Sequence, residues 1–385
     1  IPIRLPGIEM TVSNTSGVTV GDTASVSTFN RSGDEPSIGE VYYASYLYEK
    51  QDYSVKIFSK LSDIEAAFGP VSPNNALSLG AYLMFLNGAV QIGVKQVKKD
   101  SGSSTASEAS FIAAIDSLEG NLPGNITPSL LVPLTTASTT LLNHLAVHCD
   151  VQSSIRYKSE RTALVGFAAG TQPNEAGLMA KATGASRVRV IYPDIAVVPI
   201  TDALGTTTEF LVDGRYAAAA MAGNRVSPNR DAATPWTGAQ LVGFSGLGRN
   251  LDAVQANQVA VNGVTVLEDR APFLRVRQGL TTDMTNVLTK TPTVIQISDQ
   301  VQQASRAALQ PFIGTKFLNT VTGAIETRLT AVFKDLKNSQ VIAAFTGIKV
   351  TVDPNDPTSL NVEAFYQPVF PLLYIVLTFN VRTSL

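Results

Sequence analysis

The sequence predicts an α/β middle domain with a largely parallel sheet, then a C-terminal α+β domain, with extended strand arms at both chain ends. Three observations favour this fold class. Helically spaced apolar residues alternate with short apolar runs, as in Phe111–Leu118 followed by Leu130–Leu134. Two amphipathic helices precede a run of strands near the C-terminus. At both chain ends, apolar and polar residues alternate as in a strand with one buried face.

We expect four regions along the chain. Residues 1–28 form an N-terminal arm, and residues 29–278 form the α/β middle region, with a further boundary in the Ser-rich stretch 98–107. Residues 279–372 form the C-terminal α+β domain. Residues 373–385 form a C-terminal strand that acts as a second arm.

The middle region carries most of the predicted elements. Helices that alternate with continuous apolar strands are typical of a parallel sheet covered on both faces. The predicted strands are Leu130–Leu134, Thr162–Ala168 and Arg187–Tyr192, with helices around Leu141–Leu145, Ala176–Ala182 and Arg215–Asn224. A long irregular stretch, Arg225–Arg249, precedes a strand pair that Pro272 interrupts.

The C-terminal domain begins, in this prediction, with a short strand at Val294–Ile297. Ser298 then caps a helix that runs to about Phe312. A second helix buries Ile325, Leu329 and Leu336 on one face. Strands beginning at Ile348 and Leu360 follow, separated by a Pro- and Asp-containing turn.

Both arms are predicted to be strands without a hairpin partner nearby. In the N-terminal arm, the apolar face carries Ile8, Met10 and Val12. In the C-terminal arm it carries Leu373, Ile375, Leu377, Phe379 and Val381. Because a free strand edge can pair with another chain, these residues predict strand exchange between subunits.

A membrane span is the alternative interpretation of the C-terminal apolar run. Pro368 and Pro371 interrupt it, and the apolar part that remains is about half of the roughly 20 residues that a spanning helix needs. We therefore expect no membrane insertion.

Composition excludes several classes of function. The chain has 385 residues, of which 44% are hydrophobic and 16% charged, as expected of a folded protein with large cores. A net charge of −2 argues against direct nucleic-acid binding, which requires a basic surface. The single cysteine, Cys149, excludes an intrachain disulfide framework and suits a reducing compartment.

The histidines raise the question of a metal site. His144 and His148 are the only two in the chain, and their i, i+4 spacing on a predicted helix is the spacing that zinc sites use. Leu145 stands where a zinc peptidase has its glutamate, and no third ligand is evident in the sequence. We therefore predict no metal site.

Two other segments invite a comparison with catalytic or ligand-binding loops. The Gly-rich segment Gly243–Gly248 lacks both the second glycine of a nucleophile elbow and the Gly-Lys-Ser/Thr ending of a phosphate loop. The acidic turn at Asp353–Asp356 lacks the glycine and final glutamate of a calcium loop. The sequence predicts no catalytic residue and no cofactor.

The order of short motifs along the chain is more informative. The early motifs are Ser54-Val-Lys-Ile-Phe-Ser59, Asp63-Ile-Glu-Ala-Ala-Phe-Gly69 and Tyr82-Leu-Met-Phe-Leu-Asn-Gly88. The later ones are Ala218-Ala-Ala-Met-Ala-Gly223, Val261-Asn-Gly-Val264 and Thr322-Gly-Ala-Ile-Glu-Thr-Arg-Leu329. In this order the chain resembles contractile phage tail sheath proteins. It departs from the family's Trp-Gly-x-Arg-Thr motif, where Glu268-Asp-Arg-Ala-Pro-Phe273 stands instead.

The resemblance implies a mechanical role. Sheath proteins of this family form hexameric rings that stack around a rigid tail tube, and their terminal arms add strands to neighbouring subunits. The chain is then expected to be a homo-oligomer in the virion tail, assembled in the host cytoplasm, whose contraction drives genome ejection. Its other expected partners are the tail tube, baseplate and tail terminator proteins. The tube-facing candidates in the C-terminal domain are Lys316, Arg328, Lys334 and Lys337.

Two alternatives stay open at this point. One is the sheath of a bacteriocin-like or secretion-type injection device, which the sequence separates poorly from a phage sheath. The other is a soluble α/β enzyme that binds a nucleotide, as the alternating strands and helices also permit. A sheath should polymerise into tubes, whereas the enzyme should be a compact monomer with saturable nucleotide binding.

Overall fold

The computed structural model describes residues 53–100, 105–120, 122, 126–201, 205–270, 272–316, 319–356 and 358–373, and the backbone of three strands near the N-terminus. The contacts between residues divide the chain into two compact units, Ile1–Asp52 and Tyr53–Leu385.

The first unit contains a three-stranded antiparallel sheet in the order β1-β2-β3. Its strands are β1 (Pro2–Leu5), β2 (Ile8–Val12) and β3 (Val26–Arg31). The central strand pairs with β1 on one side, as Ile3 with Met10, and with β3 on the other, as Met10 with Phe29. The prediction that Ile8–Val12 has no hairpin partner nearby is therefore wrong, because a strand on each side uses its backbone groups.

The second unit begins with a small α+β layer and continues into the α/β core. Its first elements are β4 (Val55–Phe58), α1 (Leu61–Phe68), α2 (Ala76–Leu86), β5 (Ile92–Lys95), α3 (Glu108–Asp116), β6 (Leu130–Leu131), α4 (Thr139–Gln152) and β7 (Thr162–Gly166). Next come α5 (Pro173–Thr183), β8 (Val188–Tyr192), β9 (Ile195–Thr201), β10 (Thr207–Asp213), α6 (Gly214–Arg225), β11 (Gln240–Leu241), β12 (Gly246–Leu247), α7 (Ala253–Val261), β13 (Val264–Arg270) and β14 (Phe273–Gln278).

The main sheet has six strands in the order β11-β14-β13-β8-β7-β6. The four strands β6, β7, β8 and β13 run parallel, whereas β14 and β11 add an antiparallel edge. Every residue of β7 and β8 is buried, because helices cover both faces of the sheet. The strand pair that Pro272 interrupts is confirmed as the β13–β14 hairpin.

Alternate residues of β7 face opposite hydrophobic cores. Val165 packs with Leu145 of α4 and Ala176 of α5 in one core. Leu164 packs with Leu79 of α2 and Ala217 of α6 in the other. This alternation follows from the period of two in a β-strand.

The C-terminal part has hydrophobic clusters of its own. Its elements are α8 (Pro292–Leu309), a 3₁₀ turn (Gln310–Phe312), α9 (Asn319–Asn338), β15 (Ile342–Val352) and β16 (Leu360–Pro368). Two clusters join these helices to the hairpin, one around Phe333 and the other around Leu329. The predicted strand at Val294–Ile297 is wrong, since these residues lie in α8.

Within the described residues, no helix combines the length and apolar character that crossing a bilayer requires. The predicted strand at 373–385 lies outside the described residues except for Leu373, which is in no strand.

Candidate assembly surfaces

The β15–β16 hairpin is the most prominent candidate surface. Its strands are 11 and 9 residues long, and their sheet contains no third strand among the described residues. Each strand therefore has one edge of backbone donors and acceptors without a described sheet partner. Such an edge is a template for another strand.

The inner face of the hairpin packs on α9. The ring of Phe333 lies 5.5 Å from that of Phe345 and 6.2 Å from that of Tyr366, measured between centroids. Val350 is buried, and its backbone N–H donates to the Glu326 carboxylate at 3.0 Å. These contacts attach the inner face of the hairpin to α9 and leave its outer edges pointing away from the helix-covered face.

The outer face of the hairpin is exposed and mixed in polarity. Lys349 lies opposite Glu363 in the register, a pairing of opposite charges. Gly347 has a φ of 64° at an irregularity in the register, and a Cβ there would lie 2.9 Å from the Phe365 ring. Glycine at this position therefore permits the bulge and leaves room for the half-exposed Phe365 ring to lie against the backbone.

The predicted tube-facing residues are exposed but do not form one patch. Arg328, Lys334 and Lys337 lie on α9, and Lys316 follows the 3₁₀ turn. With about 100° per residue, Lys334 and Lys337 are roughly 60° apart around the helix axis, whereas Arg328 is roughly 120° from Lys334. Lys334 and Lys337 therefore lie on one side of α9, whereas Arg328 lies on a different side of the helix.

The predicted strand-exchange residues fall in two places. Ile8, Met10 and Val12 lie in the central strand β2 of the first unit. Leu373 lies at the end of the described chain, and the following residues lie outside it: Ile375, Leu377, Phe379 and Val381. Strand exchange between subunits through these residues remains a prediction.

A polar contact attaches α8 to the α/β core. The Arg187 guanidinium donates two hydrogen bonds to the Asp299 carboxylate, at 2.9 and 2.7 Å, and both side chains are mostly buried. Farther along α8, Arg306 pairs with the buried carboxylate of Glu160. Two-point Arg–carboxylate contacts fix orientation as well as distance.

Trp236 lies at the centre of a second contact with α8. Its indole Nε1 and the Arg225 Nη2 both donate to the Gln296 side-chain oxygen, at 2.9 and 3.0 Å. The Arg189 and Arg225 guanidiniums each lie 5.3 Å from a Trp236 ring centroid, which favours cation–π attraction. Burial lowers the pKa of Arg189 to about 10, so it stays charged at neutral pH. Trp236 is 1% exposed, and through these contacts it joins its loop to α8.

The Gly-rich segment Gly243–Gly248 serves packing. A Cβ at Gly243 would lie 2.7 Å from a methyl carbon of Leu86, and one at Gly248 would lie 2.4 Å from Ile195. The segment also supplies β12, which pairs with β9. This geometry is that of a close-packed loop, in which a side chain at Gly243 or Gly248 would clash with its neighbours.

The two histidines have separate partners. The His144 Nε2 lies 2.7 Å from the Asp116 Oδ1, and the His148 Nε2 lies 3.2 Å from the Arg161 Nη1. Burial, followed by the Arg161 charge, lowers the pKa of His148 to about 4. The sequence did not show that Asp116 faces α4, because Asp116 and His144 are 28 residues apart and meet only through the packing of α3 on α4.

Comparisons with known proteins agree with one another. Residues 286–382 match the family model described as the phage tail sheath C-terminal domain. The tail sheath protein of Mycobacterium phage Bxz1 is 24% identical over 356 residues, which cover 89% of this chain and 59% of that protein. The chain thus spans about three-fifths of the length of this curated relative.

Solved structures share the fold at low sequence identity. The contracted helical sheath of the anti-feeding prophage has a TM-score of 0.62 at 16% identity, covering 90% of this chain and 99% of its own. The contracted sheath complex of the extracellular contractile injection system PVC has a TM-score of 0.62 at 13% identity, with the same coverage. The sheath tail protein of Desulfitobacterium hafniense has a TM-score of 0.52 at 13% identity, covering 73% of this chain and 63% of its own.

Proposed function

We propose that this chain is a structural subunit of a contractile sheath, since residues 286–382 match the phage tail sheath C-terminal domain and 89% of the chain is similar to the tail sheath protein of Mycobacterium phage Bxz1. The observation that carries the proposal is the family match, which falls on the unit that contains the open-edged hairpin. The relatives are structural sheath proteins rather than enzymes, so the alternative of a nucleotide-binding enzyme is dropped.

The finer proposal concerns assembly. Subunits form hexameric rings that stack around a tail tube, with contacts to the baseplate and tail terminator proteins. Head-to-tail contacts between identical chains close into rings or continue as helical filaments, according to the rotation between neighbours. The tail sheath of a phage is favoured by the Mycobacterium phage relative, and contraction would drive the tube through the host envelope for genome ejection. Assembly would take place in the host cytoplasm.

An injection device other than a phage is the second candidate. The neighbours from the anti-feeding prophage and from PVC favour it, because this chain covers 99% of each. The Bxz1 sheath is the longer protein, of which the chain covers 59%.

Strand exchange is the proposed link between neighbouring subunits. The β15–β16 hairpin is the acceptor, because helices cover its inner face and each strand has an edge with no described partner strand. The proposed C-terminal donor is the strand that the sequence predicts over Ile375 to Val381. The N-terminal donor is an outer strand, β1 or β3, since β2 would first have to leave both of its partners.

In this proposal, contraction is a change from one packing of the subunits to another, and it requires no nucleotide hydrolysis. The free energy is stored in the interfaces at assembly, and a repacking releases it. Strand links are suited to this step, because backbone hydrogen bonds can hold neighbours together while their side-chain contacts change.

Electron microscopy of the purified chain tests the function. We expect hollow tubes with helical order, formed above a threshold concentration. A monomer that stays monodisperse at high concentration, both alone and with its tail tube protein, would contradict the proposal.

The tube contact is proposed to involve Lys334 and Lys337, which share one side of α9. Exchange of both for glutamate is expected to reduce cosedimentation of the sheath with purified tube while leaving tube-free polymers intact. Arg328→Glu is the matched control, because it changes the same kind of charge on a different side of the helix. An equal loss in the control would show a non-specific charge effect.

A further inference from the structure

Two buried arginines near α8 carry more hydrogen-bond donors than the surrounding groups accept. The Arg189 side chain, on β8, is fully buried, and its Nε and Nη2 have no hydrogen-bond partner among the described residues. Its Nη1 makes one long contact, at 3.4 Å, with the Arg187 carbonyl oxygen. Arg225, the last residue of α6, is 5% exposed, and within the same residues its Nε and Nη1 have no partner either. Because buried polar atoms are hydrogen-bonded as a rule, these four nitrogen atoms indicate a missing acceptor.

The carboxylates nearby do not balance the charge of these two arginines. The Asp299 carboxylate is occupied by Arg187, which donates two hydrogen bonds to it at 2.9 and 2.7 Å. Asp231 offers Arg225 only its backbone carbonyl oxygen, at 3.5 Å, because its exposed carboxylate binds within its own loop. In the part of the chain that the structure describes, neither Arg189 nor Arg225 donates a hydrogen bond to a carboxylate.

The chemistry of arginine restricts what the missing acceptor can be. A guanidinium does not lose its proton in a protein, so both positive charges persist in the buried state. The Trp236 ring lies 5.3 Å from each guanidinium, but cation–π attraction is weaker than the penalty for a buried charge without a counter-ion. A water molecule would accept the N–H groups without neutralising the charge. An anion does both.

The unpartnered atoms of Arg189 have the arrangement that an anion requires. Nε and Nη2 lie on the same edge of the planar guanidinium, and their N–H bonds on that edge are parallel. This edge binds two oxygens of an oxyanion, or one halide ion between the two N–H groups. Arg225 adds a second positive charge beside the same Trp236, where the Gln296 side-chain oxygen fixes both its Nη2 and the indole Nε1.

We propose that the Nε and Nη2 of Arg189 bind one small inorganic anion, with Arg225 as the second cation of the site. The site lies where β8, the end of α6 and the Trp236 loop meet α8, so a bound anion stabilises the attachment of α8 to the α/β core. The proposal is independent of the sheath function, because all of these residues belong to one chain. Chloride and phosphate both have the required chemistry, and the experiment distinguishes them.

Thermal unfolding of the full chain at constant ionic strength tests the proposal. Sodium chloride or sodium phosphate replaces sodium gluconate, whose anion is too large for a fully buried site. We expect a saturable rise in Tm with one of the two salts, because an anion that binds only the folded chain stabilises it by mass action. General effects of salt on the protein surface do not saturate in this way.

Ion chromatography provides a second measurement on the same chain. The protein is desalted and then unfolded, and the released anions are counted. One chloride or one phosphate ion per chain would support the proposal and identify the ligand, since a buried anion is retained during desalting.

Arg189→Met is the variant that tests the residue. It removes the two-donor edge but keeps a side chain of similar length, and exchange of an unpaired buried charge for an apolar group should allow folding. We expect it to lose both the saturable rise in Tm and the released anion. Arg275→Met, which changes an exposed arginine on β14, is the matched control and should behave like the parent chain. If Arg189→Met does not fold, Arg189→Lys replaces it, with a higher half-saturation concentration expected because lysine has no two-donor edge.

The parent chain alone can overturn the proposal. If neither salt gives a saturable rise in Tm and no anion is released on unfolding, ordered water is the partner of Arg189. A response in the Arg189 variant equal to that of the parent would place the anion elsewhere and overturn the proposal as well. An equal loss in the Arg275→Met control would do the same.

Discussion

Single residues decide where helices approach closely. Gly223 of α6 lies against Met84 of α2, and a Cβ at Gly223 would lie 2.2 Å from the Met84 carbonyl oxygen. Gly323 of α9 has no neighbour within 4 Å of the corresponding position. Two glycines in helices thus have opposite structural roles.

We expect alanine at these two positions to change stability in opposite directions. Gly223→Ala should destabilise the chain by about 1–3 kcal/mol or more, because the methyl group would push α6 away from α2. Gly323→Ala should stabilise it by about 0.5–1 kcal/mol, since alanine loses less backbone entropy in a helix. Urea unfolding of both variants measures the difference. A stabilised Gly223→Ala variant would contradict the close packing of α2 on α6.

At the scale of elements, α8 is a helix that begins in a segment where the sequence predicts a strand. The apolar run Val294–Ile297 follows a proline and has the composition of a strand. In the structure Pro292 begins the helix, and Val294, Ile297 and Val301 are buried on one face. Their spacing of three and four residues is helical, but so short an apolar run also fits a strand.

Removal of one partner from the Arg187–Asp299 pair should release α8. We expect Asp299→Ala to lower the free energy of unfolding by about 3–5 kcal/mol, because it leaves a mostly buried guanidinium without its carboxylate. Hydrogen exchange should then increase at the N-terminal half of α8. Glu268→Ala is the control, since Glu268 pairs with the partly exposed Arg270 and Arg277. Glu268→Ala should lower the free energy of unfolding by less than about 1 kcal/mol. An equal decrease in the free energy of unfolding in both variants would mean that burial does not strengthen the Arg187–Asp299 pair.

At the scale of the whole molecule, assembly should require the chain ends while folding does not. The unit Tyr53–Leu385 contains the α/β core, the hairpin and the contacts of α8. The first unit, Ile1–Asp52, is compact by itself. A deletion in either terminal segment should therefore spare the core.

Deletion of residues 1–20, or of the chain beyond Phe379, is expected to abolish polymerisation. Circular dichroism should show that the α/β core of each truncated chain still folds. Removal of Thr383–Leu385 alone is the matched control, because it retains the predicted apolar strand through Val381. Normal tubes from either long truncation would show that strand exchange is not the link between subunits.

The sequence by itself determined the elements whose own residue pattern is enough to predict them. The continuous apolar strands β7 and β8, the Pro-interrupted hairpin β13–β14 and the amphipathic α9 were all predictable, because period and turn residues are local properties. The order of short motifs also indicated a resemblance to sheath proteins, and residues 286–382 match the phage tail sheath C-terminal domain model.

The tertiary structure alone decided which distant residues meet. The pairing of Arg187 with Asp299 and the approach of Asp116 to His144 join positions 112 and 28 residues apart. It also placed β2 between two partners, where the sequence suggested a free strand. The physical reason is that strand pairing and polar contacts depend on how whole elements pack, whereas sequence periodicity reports only which face of each element is apolar.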